Sequence, residues 1–331
     1  MEFVYFLIET AIKVIVVFAV VMLAVAYMTW VERKVLGHIQ VRYGPNRVGP
    51  YGLLQPIADG IKAFFKEEVI PEKADKVVYV MAPAIPLVAS LSIFSVIPFG
   101  ETVRILGREV KLCIADVDIG LLFVFAMASL GEYGIVLGGW SSYNKYGLMG
   151  ALRAAAQMVS YEIALGITVL GILMLSGTLN LSEIVRQQIE GHWFVLYQPF
   201  AFILFLICMF AEINRTPFDM PEAESELACG YNIEYSSMKF AMFFMAEYAH
   251  LLAASSLVTV LFLGGWDGPW LPPGLSWVWF VVKVGLLAFF AVWVRGTYPR
   301  LRYDQIMKLG WKILIPLALA NVLFTGLFMV V

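Results

Sequence analysis

The sequence predicts an all-α integral membrane protein, with about eight transmembrane helices and one amphipathic helix at the cytoplasmic surface. Three observations carry that expectation. Hydrophobic residues fill 61% of the 331 positions, against roughly 45–50% in soluble domains. Eight apolar runs each approach the ~20 residues that cross a bilayer's hydrocarbon core. The charged residues, only 15% of the chain, fall mostly between those runs.

The first run, 7–31, is too long for a signal peptide and has no small-residue cleavage site before Trp30, so it is expected to stay as an anchor. A loop over 32–76 follows, and within it 53–66 reads as a different kind of helix. At about 100° per residue Leu53, Leu54, Ile57, Ile61, Phe64 and Phe65 share one arc, and Gln55, Asp59, Lys62 and Lys66 the other. Too short to span, it lies on the membrane surface facing lipid or a lipid-like ligand, or packs on a partner subunit; the two are compatible. Runs 77–98, 119–140, 154–176, 197–214 and 238–265 make a central five-helix bundle over 77–265. In the first of these, Pro83 and Pro86 predict a kink or break. Runs 276–294 and 312–331, joined by a loop at 295–311, complete a single membrane domain over 1–331. Gly134-x-x-x-Gly138 is the spacing of close helix packing.

Lys and Arg counts predict the orientation, because short cytoplasmic loops collect them. The first, third, fifth and seventh connections with their helix edges hold seventeen, and the opposite side four. Both termini are therefore expected outside the cytoplasm. A formal net charge of −2 gives no field that would draw the chain to nucleic acid. Cys113, Cys208 and Cys229 lack the spacing of an iron–sulfur or zinc ligand set. No glycine pattern for nucleotide phosphates is present either. Any redox chemistry must borrow its electron carrier.

An ionisable residue at mid-bilayer costs roughly 2.5–3.5 kcal/mol on insertion scales, so each one in a span calls for a reason. Glu132, Glu162, Glu212 and Glu247 lie in four consecutive runs. Counted from the expected cytoplasmic ends, Glu132, Glu162 and Glu247 fall about 12–14 Å deep, with Glu212 nearer the mouth and Glu32 above it. Carboxyls at one depth penalise each other's charge and can hold and pass protons. The competing reading is that each acid pairs separately with a cation or caps a broken helix. The cations within the runs are few, Lys13 and Lys283. Glu247-x-x-His250 has the spacing of a di-iron motif, but neither His38 nor His192 has a Glu three residues before it to supply the second half. No metal is expected, and His250 reads as a packing or proton-relay residue. A free-standing cation/proton antiporter would need membrane carboxylates too, but leaves the long charged loops unexplained.

Those loops carry distinctive strings. Glu32-Arg33-Lys34 precedes Arg42-Tyr43-Gly44-Pro45-Asn46-Arg47-Val48-Gly49-Pro50, and Gly150 to Glu162 reads GALRAAAQMVSYE. Ala211 to Leu227 reads AEINRTPFDMPEAESEL, followed by Gly230 to Tyr235, GYNIEY, and Arg295 to Gln305, RGTYPRLRYDQ. Over essentially the whole chain these strings resemble the H-subunit (subunit 1) family of bacterial NADH-quinone oxidoreductase, respiratory complex I. A membrane-bound hydrogenase-type complex contains a related subunit and stands as the nearer alternative.

The resemblance implies a multi-pass subunit of the bacterial cell inner membrane, at the heel where membrane and hydrophilic arms meet. It would form part of a quinone chamber and couple quinone reduction to proton translocation without a redox centre of its own. Quinone is the implied substrate, with iron–sulfur clusters and flavin on partner subunits. Implied partners are the hydrophilic quinone-reducing and iron–sulfur subunits, the small membrane-arm subunits, and lipid. The positions matching the family's proton path are Glu132, Glu162, Glu212 and Glu247, with Asp75 and Glu224 as lesser members. Those matching its quinone chamber are Glu32, Arg33, Arg42, Leu53, Ile57, Ile61, Phe64, Arg215, Asp219, Glu222, Glu226 and Arg295. His38 stands where Arg is common, and His250 where a smaller polar residue is common.

Overall fold

The computed structural model describes residues 2–105, 108–270 and 272–330; Met1 and Val331, the ends of the expected domain, lie outside the described residues. Helix α1 (Glu2–Ile39) continues past the first expected span, so Glu32 and Arg33 stay helical. At 1.5 Å per residue its 38 residues reach about 57 Å, well beyond a hydrocarbon core. After a short turn at Pro50–Gly52, α2 (Gln55–Phe65) forms the amphipathic helix. The second expected run divides into α3 (Lys76–Met81) and α4 (Ala84–Ile93). The break falls at Pro83, which has no N–H to continue the ladder.

A small hairpin, β1 (Thr102–Ile105) antiparallel to β2 (Arg108–Lys111), leads to α5 (Gly120–Ser141). Gly134 meets the α3–α4 break: a Cβ there would stand 2.3 Å from Pro86 Cδ and 2.8 Å from the Ala82 carbonyl oxygen. Helix α6 (Lys145–Ser176) begins nine residues before the expected 154. Asn144 caps it by accepting from the Tyr146 N–H, and Gly177, at φ +65°, ends it. The amphipathic α7 (Leu181–Glu190) lies at the opposite end of the bundle from α2.

The fifth expected run is shorter than a full span. Gln198 precedes Pro199 and so is disfavoured in the α region. It takes φ −132°, ψ 62° and separates α8 (Phe194–Tyr197) from α9 (Pro199–Glu212). The 14 residues of α9 reach about 21 Å, so the chain turns at Glu212 while still inside the bundle. A short α10 (Glu224–Leu227) follows, then α11 (Ser237–Phe262), α12 (Trp277–Thr297) and α13 (Tyr303–Leu309). A π-helical turn at Gly310–Leu314 joins α13 to α14 (Ile315–Val330).

Among the described residues seven helical stretches are long and apolar enough to cross a membrane, with α9 as a shorter apolar helix. This is an all-α membrane protein. Helix α11 is its axis: 67% of its most apolar window is buried, against 17% for α1. Tyr161, Phe205, Ile172 and Phe262 pack the core around it. The two cations of the apolar runs do not neutralise the acids. Lys13 pairs with Glu9 at 2.8 Å. Lys283 donates to the carbonyls of Leu263 (2.6 Å), Gly265 (3.1 Å) and Asp267 (2.5 Å), capping the far end of α11.

Candidate functional site: a buried charge group beside an apolar cavity

The site grows from the end of α9. A turn inside the bundle exposes backbone groups that must find partners. Gln157 of α6, 1% exposed, places its amide Nε2 within hydrogen-bond reach of three acceptors, the carbonyls of Ala211 (2.7 Å) and Phe218 (2.8 Å) and Asn214 Oδ1 (3.0 Å), which share its two hydrogens. Asn214 sits at φ +57°, a region Asn tolerates better than most residues. Its amide Nδ2 donates to Glu132 Oε1 at 2.9 Å. The next residue, Arg215, is thereby directed inward.

Arg215 is 3% exposed. Its Nη1 lies 2.7 Å from Glu32 Oε2 and its Nε 2.6 Å from Glu247 Oε1. The guanidinium carbon lies 4.5 Å from the Tyr248 ring centroid. Arg295 of α12 donates to the other oxygen of Glu32. Two acids and two arginines make a formally neutral group, the arrangement in which burial of charge is least costly. Over it folds the 216–232 loop, where Asn232 Nδ2 donates to Glu222 Oε1 at 3.1 Å. Burial first, then the charges of Glu247 and Asp219, push the Glu222 carboxyl up to about 8. Burial also raises Asp219, against the opposing fields of Arg300 and Arg295.

Glu132, Glu162 and Glu212 form a second group, which has no ion pair among the described residues. The Ser129 hydroxyl donates to Glu162. Ser129 lies one turn before Glu132 on α5. Glu132 Oε2 and Glu212 Oε2 are buried without a partner among the described residues. Both groups open into one cavity of about 40 Å³ lined by Glu132, Glu212, Asn214, Glu222, Tyr231, Glu247 and His250. At about 10–15 Å³ per water, roughly three waters fit.

A larger, mainly apolar cavity of about 490 Å³ lies between α1, α2 and α11. Met22, Val25, Ala26 and Thr29 line it from α1, Pro56, Asp59, Gly60 and Ala63 from α2, and Met238, Ala241, Phe244, Met245 and Tyr248 from α11. Helix α2 is fastened at both ends. Arg33 pairs with Asp59 at 2.6 Å, and the Ser237 hydroxyl contacts the carbonyls of Ala63 and Lys66 at 2.9 Å each. Tyr248 belongs to both features, lining this cavity while lying against Arg215.

The structure brings Glu32, Arg215, Glu247, Arg295, Asp219, Glu222, Glu132, Glu162 and Glu212 together, and sets Arg33 on the large cavity. Leu53, Ile57, Ile61 and Phe64 are exposed instead of lining that cavity. The neighbouring edge of α2, with the small Gly60 and Ala63, is the one that approaches α1 and α11, and the bulky stripe is left outward. Asp75 is exposed and caps α3, accepting from the Val78 N–H at 3.4 Å. Glu224 is exposed. Arg42 is exposed and bonds Gln40 at 2.7 Å. Glu226 is exposed, and its hydrogen bond from Arg153, at 2.5 Å, lowers its pKa. Sequence reasoning did not single out Gln157, Asn214, Ser129 or Tyr248. Gln157 and Asn214 are polar residues at the edges of apolar runs, which was the available signal.

The sequence matches the family described as NADH dehydrogenase over residues 12–326. It is 55% identical to the second of the NADH-quinone oxidoreductase H subunits of Geobacter metallireducens, an alignment covering 97% of this chain and 95% of that one. It is likewise 55% identical to the first of the corresponding H subunits of Geobacter sulfurreducens, covering 95% and 93%. The chain belongs to the H-subunit family of NADH-quinone oxidoreductase. A third member of that family, from Syntrophotalea carbinolica, is 51% identical over 98% of this chain and 97% of its own. As a member of this family the chain is a membrane component of complex I, an oxidoreductase assembly, and its partners are other subunits of that complex.

Proposed function

We propose that this chain holds part of the quinone path of complex I in the 490 Å³ cavity and converts events there into proton movement through the buried acids. The observation that carries the reading is Tyr248, which is at once a wall of the cavity and the aromatic face against Arg215. A quinone entering between α1, α2 and α11 meets Tyr248 before anything else of the charge group. Its head is reduced beyond this chain, in a hydrophilic partner subunit, by electrons from an iron–sulfur cluster. A unit change of charge about 10 Å away is worth about 1.7 kcal/mol at an effective dielectric of 20, more than one pKa unit. That is enough to shift a proton within the Glu32, Glu247, Asp219 and Glu222 group. Waters of the small cavity then connect this group with Glu132, Glu212 and Glu162, the start of a route toward the rest of the membrane arm.

The same reading sets the orientation. The charged end of the bundle, where α2 lies and the 216–232 loop folds, faces the cytoplasm of a bacterial cell, and both termini face the periplasm across its inner membrane. On the cytoplasmic side Val41 and Tyr43, 95% and 92% exposed, offer contacts to the hydrophilic arm. The quinone part of the proposal is tested by Gly60→Phe. Gly60 lines the cavity, and a Cβ there meets nothing within 4 Å, so a bulky side chain is accommodated at its wall without displacing backbone. Quinone-linked turnover of the assembled complex is expected to fall at least about tenfold, while NADH oxidation by ferricyanide holds. Unchanged quinone kinetics in an assembled variant contradict the cavity assignment.

A further inference from the structure

His250 is a titratable side chain that the proposed route does not use, and its position gives it a task. The acids fall into two groups. Glu222 feels chiefly Glu247 and Asp219, whereas Glu132 feels Glu212 and Glu162. Asn214 touches the second group, but an amide keeps its protons and passes none on. His250 lies three residues after Glu247, on the same face of α11 one turn deeper. Its ring lines the 40 Å³ cavity that both groups share, and also a second cavity of about 30 Å³ holding Glu212 and otherwise apolar. It has no hydrogen bond to any described residue. Facing that shared space are Glu132 and Glu212, each with one buried carboxyl oxygen that has no partner among the described residues. A neutral imidazole accepts at one nitrogen and donates from the other.

We infer that His250 is the proton relay joining the two acid groups, a role that rests on the proton route proposed above. A proton leaves the carboxyl of Glu247 or Glu222 and reaches one ring nitrogen through cavity water. The proton on the other nitrogen passes to the carboxylate of Glu212 or Glu132. One acid has lost a proton, another has gained it, and the ring is restored when its tautomer resets.

The test uses a nearly isosteric pair in the intact complex, reconstituted in vesicles. His250→Glu retains a group that takes and releases protons, and His250→Gln does not. The ratio of protons moved to NADH oxidised with quinone is measured, with NADH–ferricyanide activity reporting assembly. The glutamate variant is expected within about twofold of the parent ratio, and the glutamine variant at least about tenfold below it. A packing role predicts the reverse order, because a neutral amide is the easier group to bury. Glutamine equal to or better than glutamate therefore overturns the relay. Where either variant does not assemble, His250→Asp against His250→Asn gives the same comparison. Glu132→Gln separates the two levels: if it lowers the ratio and His250→Gln does not, the relay falls and the route stands. If neither lowers it, the route falls as well.

Discussion

Removal of Arg215 is the most informative single perturbation of the buried charge group. In Arg215→Met the 2.7 Å bond to Glu32, the 2.6 Å bond to Glu247 and the contact with Tyr248 are lost together. Glu32 keeps Arg295, whereas Arg215 is the one ion-pair partner of Glu247 among the described residues. The variant thus strands one carboxylate inside the bundle. Breaking a buried pair in this way costs about 3–5 kcal/mol, two to nearly four powers of ten in the folding equilibrium. Arg215→Lys should cost less, because charge is kept while the fork that reaches two acids is lost. Adding Glu247→Gln to Arg215→Met removes the stranded charge and should restore much of the loss, with a coupling energy of at least about 2 kcal/mol. The assay is the amount of this chain retained in the membrane together with the thermal midpoint of the solubilised complex. Wild-type stability in Arg215→Met, or no recovery on adding Glu247→Gln, would refute the reasoning.

Two further predictions follow from the packing and from the loop. Glu222, pushed up to about 8 from an ordinary 4.5, binds its proton more tightly in the folded state. Its contribution to stability is therefore complete below about 4.5 and is lost as pH rises through about 8. Glu222→Gln, which mimics the protonated form, should flatten the pH dependence of thermal inactivation across that window, and an unaltered slope counts against the assignment. Gly134→Ala sets a Cβ 2.3 Å from Pro86 Cδ. Overpacking of this kind costs about 1–3 kcal/mol, measurable as a lower thermal midpoint, and an unchanged midpoint would show that the α3–α4 break yields easily.

The sequence disclosed the helices because lipid imposes a length and a hydrophobicity that few other environments require. It disclosed the acids for the same reason, since a carboxylate in an apolar run is conspicuous. It did not disclose where α9 stops relative to its neighbours, and so missed that Arg215 turns inward to neutralise Glu32 and Glu247. Hydrophobic periodicity marked the bulky stripe of α2 as a face for lipid, a lipid-like ligand or a partner subunit, and that stripe is exposed; periodicity does not mark which edge meets α1 and α11. Close approach is governed instead by small residues, and Gly60 and Ala63 bring the adjacent edge to the cavity. Asp75, a position implied only by the family resemblance, is exposed, and its carboxylate satisfies an N–H at the start of α3. The extra turns at the start of α6 were hidden because Lys145 and Arg153 lower the local hydropathy without breaking the helix.

The central claim is that protons move through the buried acids of this chain when quinone is reduced. Its most direct test is the proton-to-electron ratio of the complex in sealed vesicles carrying Glu132→Gln or Glu247→Gln, with NADH–ferricyanide activity confirming assembly. The account predicts a ratio well below the parent's in each, with quinone-linked turnover depressed. A parent ratio at full turnover in both would contradict it.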